Sequence, residues 1–394
     1  MVKKSSNIIT GYKAFDPDFK CQDYQYEVGK TFEHNGKIQM CYKGFHFCHD
    51  DPIDVFNYYP LVHREHGLST RFAKVSVPKK EAIVKHTADK CVTSKISIDE
   101  EITLEALINE QVEKAYNSED KAGSLIATNN RSTLIDKDSA TKIISNKMGA
   151  RVALTSRYSR ALVSADGTYL ASSAFSTGLF SIGGYVNVSS SGNFTKIYSN
   201  GQYSSISSSG CNAELRIKGA ETSIATSGDV STLNVEGKNV SVSSSGKASN
   251  LNVTGAYASV STSGLFPELT VKGDFVATAS SGENTTLRIT GDGAGVASSG
   301  DYSKLTVTGD GARIASVGEF GRVIYEGKDG VITILGGSTK FKGSKGTLVL
   351  AVICNHRGKP VGGLVGRIGE NGLKSNTLYR VSGGEFVEVE AANE

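Results

Sequence analysis

Residues 291–309 read GDGAGVASSGDYSKLTVTG, a stretch in which glycine returns every nine residues. The same spacing holds without a slip over a much longer part of the chain. Glycine stands at positions 183, 192, 201, 210, 219, 228, 237, 246, 255, 264, 273, 282, 291, 300, 309, 318, 327 and 336. A period this regular is typical of a solenoid, in which every repeat makes the same turn. We expect the turn to need glycine because glycine reaches positive φ without steric cost.

The residues between the glycines indicate that the structural repeat is two nonapeptides long. With each glycine counted as position one, position six is aliphatic in nearly every nonapeptide, with Thr278 as the exception. Position eight alternates between apolar residues such as Val307 and small polar residues such as Ser298. Because strand side chains alternate in direction, this pattern predicts two strands per coil with positions six and eight inside. We expect the stacked Ser and Thr hydroxyls of position eight to hydrogen-bond along their own ladder.

The same phase continues upstream with fewer glycines, since position six is apolar from Leu125 to Leu179. The sequence therefore predicts a mainly β protein with a parallel β-solenoid of 18-residue coils over residues 120–336, about twelve coils in all. A small α+β head is predicted over residues 1–119 and a small β tail or cap over residues 337–394. In the tail, an apolar strand is expected at 348–353, and a hairpin is expected from strands at 377–381 and 385–389.

Composition excludes several classes of protein. The chain has 394 residues, no Trp, 38% hydrophobic residues and a net charge of +3, so we expect no general attraction to nucleic acid or to membranes. No apolar run is long enough for a transmembrane helix, and the start MVKKSSNIIT has no hydrophobic region of a secretory signal. Six dispersed cysteines suggest reduced thiols. These features predict a cytoplasmic protein without a membrane partner.

The head has no nine-residue period and is expected to mix strands with two helices. Strands are predicted at GYKAFD, 24–28, 44–48, 72–77 and 92–98. Asp51-Pro52 is expected to open a short helix, because Asp caps free amides and Pro fits the first turn. A second helix is expected from Asp99, with three acidic residues in its first turn and its end near Tyr116. Its buried stripe is predicted to be Leu104, Leu107, Ile108, Val112 and Ala115.

The most distinctive string in the head is Cys41-Tyr-Lys-Gly-Phe-His46-Phe-Cys48-His49. Cys41, His46 and Cys48 are candidate zinc ligands, with Cys21 or His49 as a fourth, although their spacing fits no standard zinc knuckle. The competing interpretation places His46 and the cysteines in the core of a strand, where free Cys packs as a small hydrophobe. We favour the core interpretation and predict no cofactor.

Several motifs at the two ends of the chain occur together. They are Tyr26-Glu27-Val28-Gly29-Lys30, Cys41-x-x-Gly44-Phe45-His46-x-Cys48 and Pro52-x-Asp54 in the head, and Lys374-x-Asn376-Thr377-Leu378-Tyr379 and residues 384–389 in the tail. In these motifs the chain resembles an uncharacterised family of domains of unknown function from bacteria and their phages, in which such heads often precede short repeats. The resemblance implies a bacterial or phage setting, and it implies no chemistry.

A second resemblance concerns only part of the head. The Gly-Phe-His-Phe strand, followed by a short helix that ends in Tyr58-Tyr59, is similar to a segment of ADP-ribosyltransferase-like folds. That resemblance implies that His46 and Tyr58 lie near a dinucleotide. Glu101, or its neighbour Glu100, is the candidate catalytic carboxylate by its position after a strand. The opening Arg or His and the Ser-x-Ser motif of those folds are not evident here.

Two features of the predicted solenoid bear on ligands. Nonapeptide repeats of the calcium-binding type need Asp at the sixth position, and here that position is aliphatic, so we expect no calcium. Basic residues are concentrated over residues 120–160, and Lys142 and Arg160 should stack one coil apart on one face. Lys142, Arg151, Arg157 and Arg160 are therefore candidates for binding an acidic partner, a phosphate-bearing ligand or nucleic acid. A solvated surface is the commoner role of such a stripe.

Two functions remain open from the sequence. We favour a non-enzymatic binding protein on a solenoid scaffold, phage-encoded and acting in the virion or against a host defence in the host cytoplasm. Its expected partners are a protein, a second copy through the tail or solenoid end, and a small nucleotide-like ligand. The alternative is an enzyme with an ADP-ribosyltransferase-like or other nucleotide-handling head, carried on the solenoid.

Overall fold

The computed structural model describes residues 7–22, 24–40, 42–49, 51–63, 65, 68–83, 90–118, 124–355 and 359–389. The chain is mainly β and forms a parallel β-solenoid of about 13 turns of about 18 residues, with a small N-terminal head and a C-terminal cap. The predicted fold class is therefore confirmed, with one turn more than the predicted twelve. Two compact units are present: one holds the chain up to Gly183 with Lys196–Asn200, and the other holds Gly184–Thr195 with the chain from Gly201.

The described part of the head contains short strands and one α-helix, α1 (Leu104–Asn117). The strands are β1 (Ile8–Phe15), β2 (Lys20–Cys21), β3 (Tyr24–Gln25), β4 (Thr31–Glu33), β5 (Phe45–Phe47), β6 (Arg71–Pro78), β7 (Ala82–Ile83), β8 (Cys91–Thr93) and β9 (Lys95–Ile102). An antiparallel sheet has the order β1-β6-β9-β4, a small one has the order β5-β8-β7, and β2 pairs with β3. One apolar core lies between these sheets and includes Phe15, Phe47 and Val75.

The first predicted helix of the head begins at Asp51-Pro52 as expected but lacks the expected cap, and the second begins later than predicted. The segment Pro52–Asn57 is a 3₁₀ helix, and the Asp51 side chain makes no capping bond, because its carboxylate accepts from Gln111 Nε2 at 3.0 Å. The three acidic residues from Asp99 lie on β9 and not in a helix, since β9 pairs with the basic strand β6. Thr103 caps α1 by accepting from Ala106 N. The predicted buried stripe holds for its first four residues, and Ala115 is partly buried.

Two strands per turn build the solenoid. They are β10 (Ser124–Ile126), β11 (Thr133–Ile135), β12 (Lys142–Ser145), β13 (Arg151–Leu154), β14 (Arg160–Val163), β15 (Tyr169–Ser172), β16 (Gly178–Ile182), β17 (Asn187–Ser190), β18 (Lys196–Asn200), β19 (Ser205–Ser208), β20 (Glu214–Lys218), β21 (Ser223–Thr226), β22 (Thr232–Glu236), β23 (Ser241–Ser244), β24 (Asn250–Thr254), β25 (Ser259–Thr262), β26 (Glu268–Lys272), β27 (Ala277–Ser280), β28 (Thr286–Thr290), β29 (Gly295–Ser298), β30 (Lys304–Thr308), β31 (Arg313–Ser316), β32 (Arg322–Glu326), β33 (Val331–Ile334) and β34 (Lys340–Lys342).

Alternate strands pair in parallel within each unit. In the first unit β10, β12, β14, β16 and β18 form one sheet, while β11, β13 and β15 belong to the other. In the second unit the even-numbered strands from β20 to β34 form one parallel sheet, and the odd-numbered strands from β17 to β33 form another. Partners are one coil apart, as in Leu287 opposite Leu305. Position-six side chains such as Leu251 are fully buried, as the alternation predicted.

Glycine at position one is required by close approach as well as by backbone conformation. A Cβ added to Gly228 would come 2.0 Å from the carbonyl oxygen of Gly210, one turn earlier, although the φ of Gly228 is not positive. The predicted reason, a positive φ, does hold for the glycine that begins the other nonapeptide of the coil, since Gly309 has φ +132°. There too a Cβ would meet a carbonyl oxygen, that of Gly291 at 2.2 Å.

The left-handed conformation lies two residues further on, at position three. Val230 has φ 63° and Tyr257 has φ 58°. The amide of Tyr257 donates to the carbonyl of Asp274 in the next turn at 3.0 Å, which holds this conformation. Rings at this position stack across turns, as with Tyr257 and Phe275, whose centroids are 5.5 Å apart and whose planes differ by 12°.

The predicted ladder of inner hydroxyls does not form. Ser280 bonds to Thr285 at 2.8 Å, which lies across the corner and not in the neighbouring turn. The hydroxyls of Ser208, Thr226 and Ser244 are buried and have no hydrogen-bond partner within the described protein.

Antiparallel strands end the solenoid, as predicted for a cap. They are β35 (Leu348–Cys354), β36 (Pro360–Arg367), β37 (Tyr379–Ser382) and β38 (Glu385–Glu388). β35 pairs in parallel with β33 and antiparallel with β36, and β37 pairs antiparallel with β34 and β38. The predicted hairpin is confirmed, and its turn is Gly383-Gly384 with both φ values positive, 62° and 84°.

Candidate functional site

A cleft of about 380 Å³ lies in the head. Its walls come from β1, β2, the segment around β5 and the end of the 3₁₀ helix. The described residues that line it are Tyr12, Lys13, Ala14, Cys21, Gln22, His46, Phe47, Cys48, Val55, Tyr58, Tyr59 and Lys90. Four residues singled out by the sequence, Cys21, His46, Cys48 and Tyr58, therefore meet in one cavity. Lys13 and Lys90 join them, and the sequence analysis had singled out neither.

Local sequence explains how the cleft forms. Gly11 on β1 has no side chain, and a Cβ there would come 2.4 Å from the carbonyl oxygen of Cys48. The Cys48 segment can thus cross β1 closely, and Tyr12 and Cys48 exchange two backbone hydrogen bonds of 2.7 and 2.8 Å. Asp51 and Pro52 then start the 3₁₀ helix, whose end carries Tyr58 and Tyr59 to the opposite wall.

Lys13 is the most unusual residue of the cleft. It is only 4% exposed, and its Nζ donates to the His46 carbonyl oxygen at 3.0 Å. The ammonium group also lies 5.5 Å from the ring centre of Phe15 and 5.2 Å from that of Tyr26. No carboxylate of the described residues forms an ion pair with Lys13. Burial lowers the pKa of Lys13, and Lys90 lowers it further, while the Cys21 and Cys48 thiols act in the opposite direction.

Two other titratable groups of the cleft, the His46 imidazole and the Tyr59 phenol, are held neutral near pH 7. Burial, with Lys90 and Lys13 nearby, lowers the pKa of His46 to about 4. Burial and the neighbouring Cys21 raise the pKa of Tyr59. Tyr58 is exposed, and Lys90 Nζ lies 4.4 Å from its ring centre. The cleft thus offers neutral hydrogen-bonding groups and aromatic rings beside two amines.

The candidate carboxylate of the enzyme alternative lies elsewhere. Glu101 is on β9, and its Oε2 is 2.6 Å from Arg71 NH2. Glu100 Oε1 is 3.4 Å from Lys74 Nζ. Neither residue lines the cleft.

The zinc candidates are only partly covered by the structure. Cys41 lies outside the described residues. Cys48 is buried, His46 is half-buried, and His49 Nδ1 is 2.8 Å from the Thr10 carbonyl oxygen. Within the described ranges, no three His, Cys, Asp or Glu side chains are grouped so that they could hold a metal ion.

One protein-family model matches residues 9–110. Its description is Domain of unknown function (DUF7666). The match agrees with the predicted resemblance to an uncharacterised family, while the phage setting and the cysteine motif remain predictions. Every described residue of the cleft falls inside the matched range. No curated protein and no solved structure matches the chain.

The predicted basic stripe divides into two groups. Lys142 and Arg160 stack in register, as expected, and both face acidic groups of the head. Lys142 contacts the carboxylates of Asp51 and Asp54, and Arg160 NH1 lies 3.0 Å from Asp54 Oδ1. For these two cations the acidic partner is thus part of the same chain.

The other two cations of the stripe lie on other surfaces. Arg151 is exposed on β13, with its guanidinium 5.8 Å from the Tyr169 ring centre. Arg157 is exposed in the turn that follows β13. The four candidate residues therefore do not form one binding surface.

Sequence reasoning missed the surface on which the head rests. Position seven of successive coils is apolar at Ile144, Leu162, Phe180 and Tyr198, and all four are fully buried against the head. Phe56 of the 3₁₀ helix lies 5.3 Å from Phe180, ring centre to ring centre. The signal was available, because the same position in later coils holds polar residues such as Arg216 and Thr306.

Basic residues of the solenoid, beside this apolar surface, also position one wall of the cleft. Lys196 Nζ donates to the carbonyl oxygens of Phe56 and Tyr59, each at 2.9 Å. Burial alone would raise the pKa of Asp51, but Lys142 and Gln111 donate to its carboxylate and lower it to about 2. The solenoid cations therefore hold the segment that carries Val55, Tyr58 and Tyr59.

A second concavity, of about 620 Å³, runs along the second unit of the solenoid. Its lining is made of Ser, Thr and Ala with one Val, and no side chain in it is charged. The position-two Asp residues lie at the turns, where their carboxylates accept hydrogen bonds from backbone amides of the next turn. Asp310 N, for example, donates to Asp292 Oδ1 at 2.8 Å. Among the described residues no helix is long and apolar enough to cross a membrane. The head cleft, which is lined by titratable side chains, is therefore the candidate functional site.

Proposed function

We propose that the protein is a non-enzymatic binding protein whose head cleft receives a small anionic ligand and whose β-solenoid is the scaffold. One observation carries the proposal: two lysines and a histidine line the cleft, and no described residue of its lining is a carboxylate. No negative charge of the described lining opposes the Lys13 and Lys90 amines, while the His46 imidazole is neutral near pH 7.

Lys13 supplies the energetic argument. Burying an ammonium group without a counter-charge is costly, and proteins compensate by pairing the charge or by releasing the proton. An anion in the cleft would act as the missing counter-charge for both Lys13 and Lys90. Its binding would also raise the pKa of Lys13 and His46, so that binding takes up protons and weakens as pH rises.

The aromatic lining favours an anion that carries a planar group. Tyr58 and Tyr59 form one wall, and Tyr58 already stacks against the Lys90 ammonium. Rings of this kind bind flat, polarisable groups, and lysines bind phosphate. A nucleotide-like ligand meets both requirements.

The absence of a carboxylate among the described lining residues favours binding over catalysis. Transfer at a ribosyl carbon depends on a carboxylate near the reacting atoms, and Glu101 is engaged by Arg71 outside the cleft. The phage association, a protein partner and a second copy bound through the tail or solenoid end remain predictions.

Calorimetric titration of the full chain with AMP, pyrophosphate and adenosine tests the proposal. We expect AMP and pyrophosphate to bind and uncharged adenosine to bind at least about tenfold more weakly, since the charged contacts are lost. Lys90→Gln should weaken AMP binding about tenfold. Lys238→Gln, which removes an exposed solenoid lysine, is the matched control and should leave it unchanged.

Two results would contradict the proposal. One is that neither AMP nor pyrophosphate binds. The other is that Lys90→Gln and Lys238→Gln behave alike, which would place any bound anion outside the cleft.

A further inference from the structure

We propose that Lys13 Nζ is a nucleophilic amine that forms a reversible imine with an aldehyde or ketone group of a cleft ligand. The inference rests on the proposed role of the cleft as a ligand site and adds a chemical class to it. The position of Lys13 is the starting point. It lies on β1, the edge strand of an antiparallel sheet. The backbone of β1 is paired along its whole length with β6.

The amine is oriented by the fold. One hydrogen bond, to the His46 carbonyl oxygen, fixes Nζ at the cleft wall. The side chain is only 4% exposed, and Nζ lies within 6 Å of the ring centres of both Phe15 and Tyr26, so it has little freedom. An amine held in this way loses little entropy when it attacks a bound carbonyl group.

The surroundings favour the free base of Lys13. The charged and titratable groups that face it are Lys90, His46, Cys21, Cys48 and the phenol Tyr26. Burial and Lys90 disfavour the ammonium form, and only the two thiols oppose them. A desolvated lysine beside another cation is the arrangement in which amines act as nucleophiles at neutral pH.

The reaction balances without an oxidant or metal. The lone pair of Nζ attacks the carbonyl carbon and gives a carbinolamine. The C–O bond then breaks as a C=N bond forms, and the oxygen leaves as water with the two protons that the amine loses. Tyr59, whose phenol stays protonated near neutral pH, lines the same cleft and can donate a proton to the departing hydroxyl. Hydrolysis reverses each step.

Reductive trapping on the full chain tests the inference. The protein is incubated with glyoxylate, an anionic aldehyde, or with acetaldehyde, a neutral one, in the presence of cyanoborohydride. Labelled lysines are then quantified by peptide mass spectrometry. We expect Lys13 to be labelled at least fivefold faster at pH 7 than the exposed solenoid lysines Lys238 and Lys304, which serve as internal controls. Lys13→Met should remove this label and leave the controls unchanged.

A pH profile keeps the test independent of how Lys13→Met folds. In the wild-type protein, labelling of Lys13 should reach half its maximal rate at a lower pH than labelling of Lys238. Labelling of Lys13 at or below the rate of the exposed lysines, with the same pH midpoint, would overturn the inference.

The two proposals fail separately. If AMP binds and Lys13 is not labelled preferentially, the cleft is an anion site and the imine inference is wrong. If acetaldehyde labels Lys13 preferentially and neither AMP nor pyrophosphate binds, the amine is reactive and the anion proposal is wrong.

Discussion

Gly246 lies directly above the backbone of Gly228, one turn earlier, so closely that an added Cβ would come 2.0 Å from the Gly228 carbonyl oxygen. The same relationship recurs at Gly228 over Gly210 and at Gly264 over Gly246. The corners of the solenoid therefore stack backbone on backbone. This stacking accounts for the unbroken run of glycine at position one from 183 to 336.

Replacing one of these glycines should disrupt the stack. We expect Gly246→Ala to destabilise the protein by about 2–4 kcal/mol, because the methyl group forces two turns apart. Gly295→Ala is the matched control: Gly295 is exposed at the start of β29, and the nearest atom to its Cβ would be 4.0 Å away. Urea unfolding followed by circular dichroism measures both. Equal stability of the two variants would show that the corners can relax.

Position three offers a reciprocal test of backbone strain. Val230 is a β-branched residue in the left-handed region, at φ 63°, whereas Asn239 holds the equivalent place at φ 54°. Asn tolerates this region better than Val does, by about 1 kcal/mol. Val230→Asn should therefore stabilise the protein, and Asn239→Val should destabilise it by a similar amount. Thermal unfolding of the two variants checks the opposite signs, and a shared sign would refute the strain argument.

The apolar position-seven surface should hold the head in place. Phe180 is fully buried against Phe56, so Phe180→Ala is expected to cost about 3–5 kcal/mol. Thr306→Ala changes the same position of a later coil and should cost less than about 0.5 kcal/mol. Hydrogen exchange locates the effect: amides of α1 should exchange faster in Phe180→Ala only. Unchanged exchange in α1 would mean that the head does not depend on this contact.

The ion pairs beneath the cleft predict a pH dependence. In the folded protein the pKa of Asp51 is about 2, below its ordinary value of 3.8, so its carboxylate contributes stability above pH 3.8. That contribution is lost as pH falls from 3.8 through 2. Asp51→Asn should thus be less stable than wild type by about 1–2 kcal/mol at pH 6, allowing for solvent screening, and equal to it near pH 2.

Unfolding by urea across pH 2–6 measures this difference. Glu33→Gln, which removes an exposed partner of Lys95, is the control and should change stability by less than about 0.5 kcal/mol. A difference between Asp51→Asn and wild type that does not shrink with falling pH would contradict the assignment.

Parts of the head were predictable because their signals are local. The buried residues of α1 follow from a helical period, and β1, β5 and β6 follow from apolar strand patterns. The start of α1 was predicted wrongly, because the acidic residues at 99–101 suit both a helix N-terminus and a strand opposite basic β6. Only the pairing of Glu101 with Arg71 and of Glu100 with Lys74 separates the two.

The cleft was predictable only in part. His46, Cys48 and Tyr58 stand out in a short string, and the structure brings them together. Lys13 stands 33 residues earlier than His46, and nothing in GYKAF distinguishes a buried lysine from an exposed one. Its burial depends on the crossing of the Cys48 segment over Gly11, a contact between distant parts of the chain.

The sequence by itself determined the solenoid: its eighteen-residue coil, its two parallel sheets and the residues inside them. This was possible because each coil contacts its neighbours at a constant sequence separation, so a local period encodes the tertiary contacts. Tertiary structure alone decided the close backbone contact that excludes a Cβ at the corners, the partners of Lys142 and Arg160, and the groups that line the cleft. Those features arise where segments far apart in the chain meet, and no period in the sequence records such meetings.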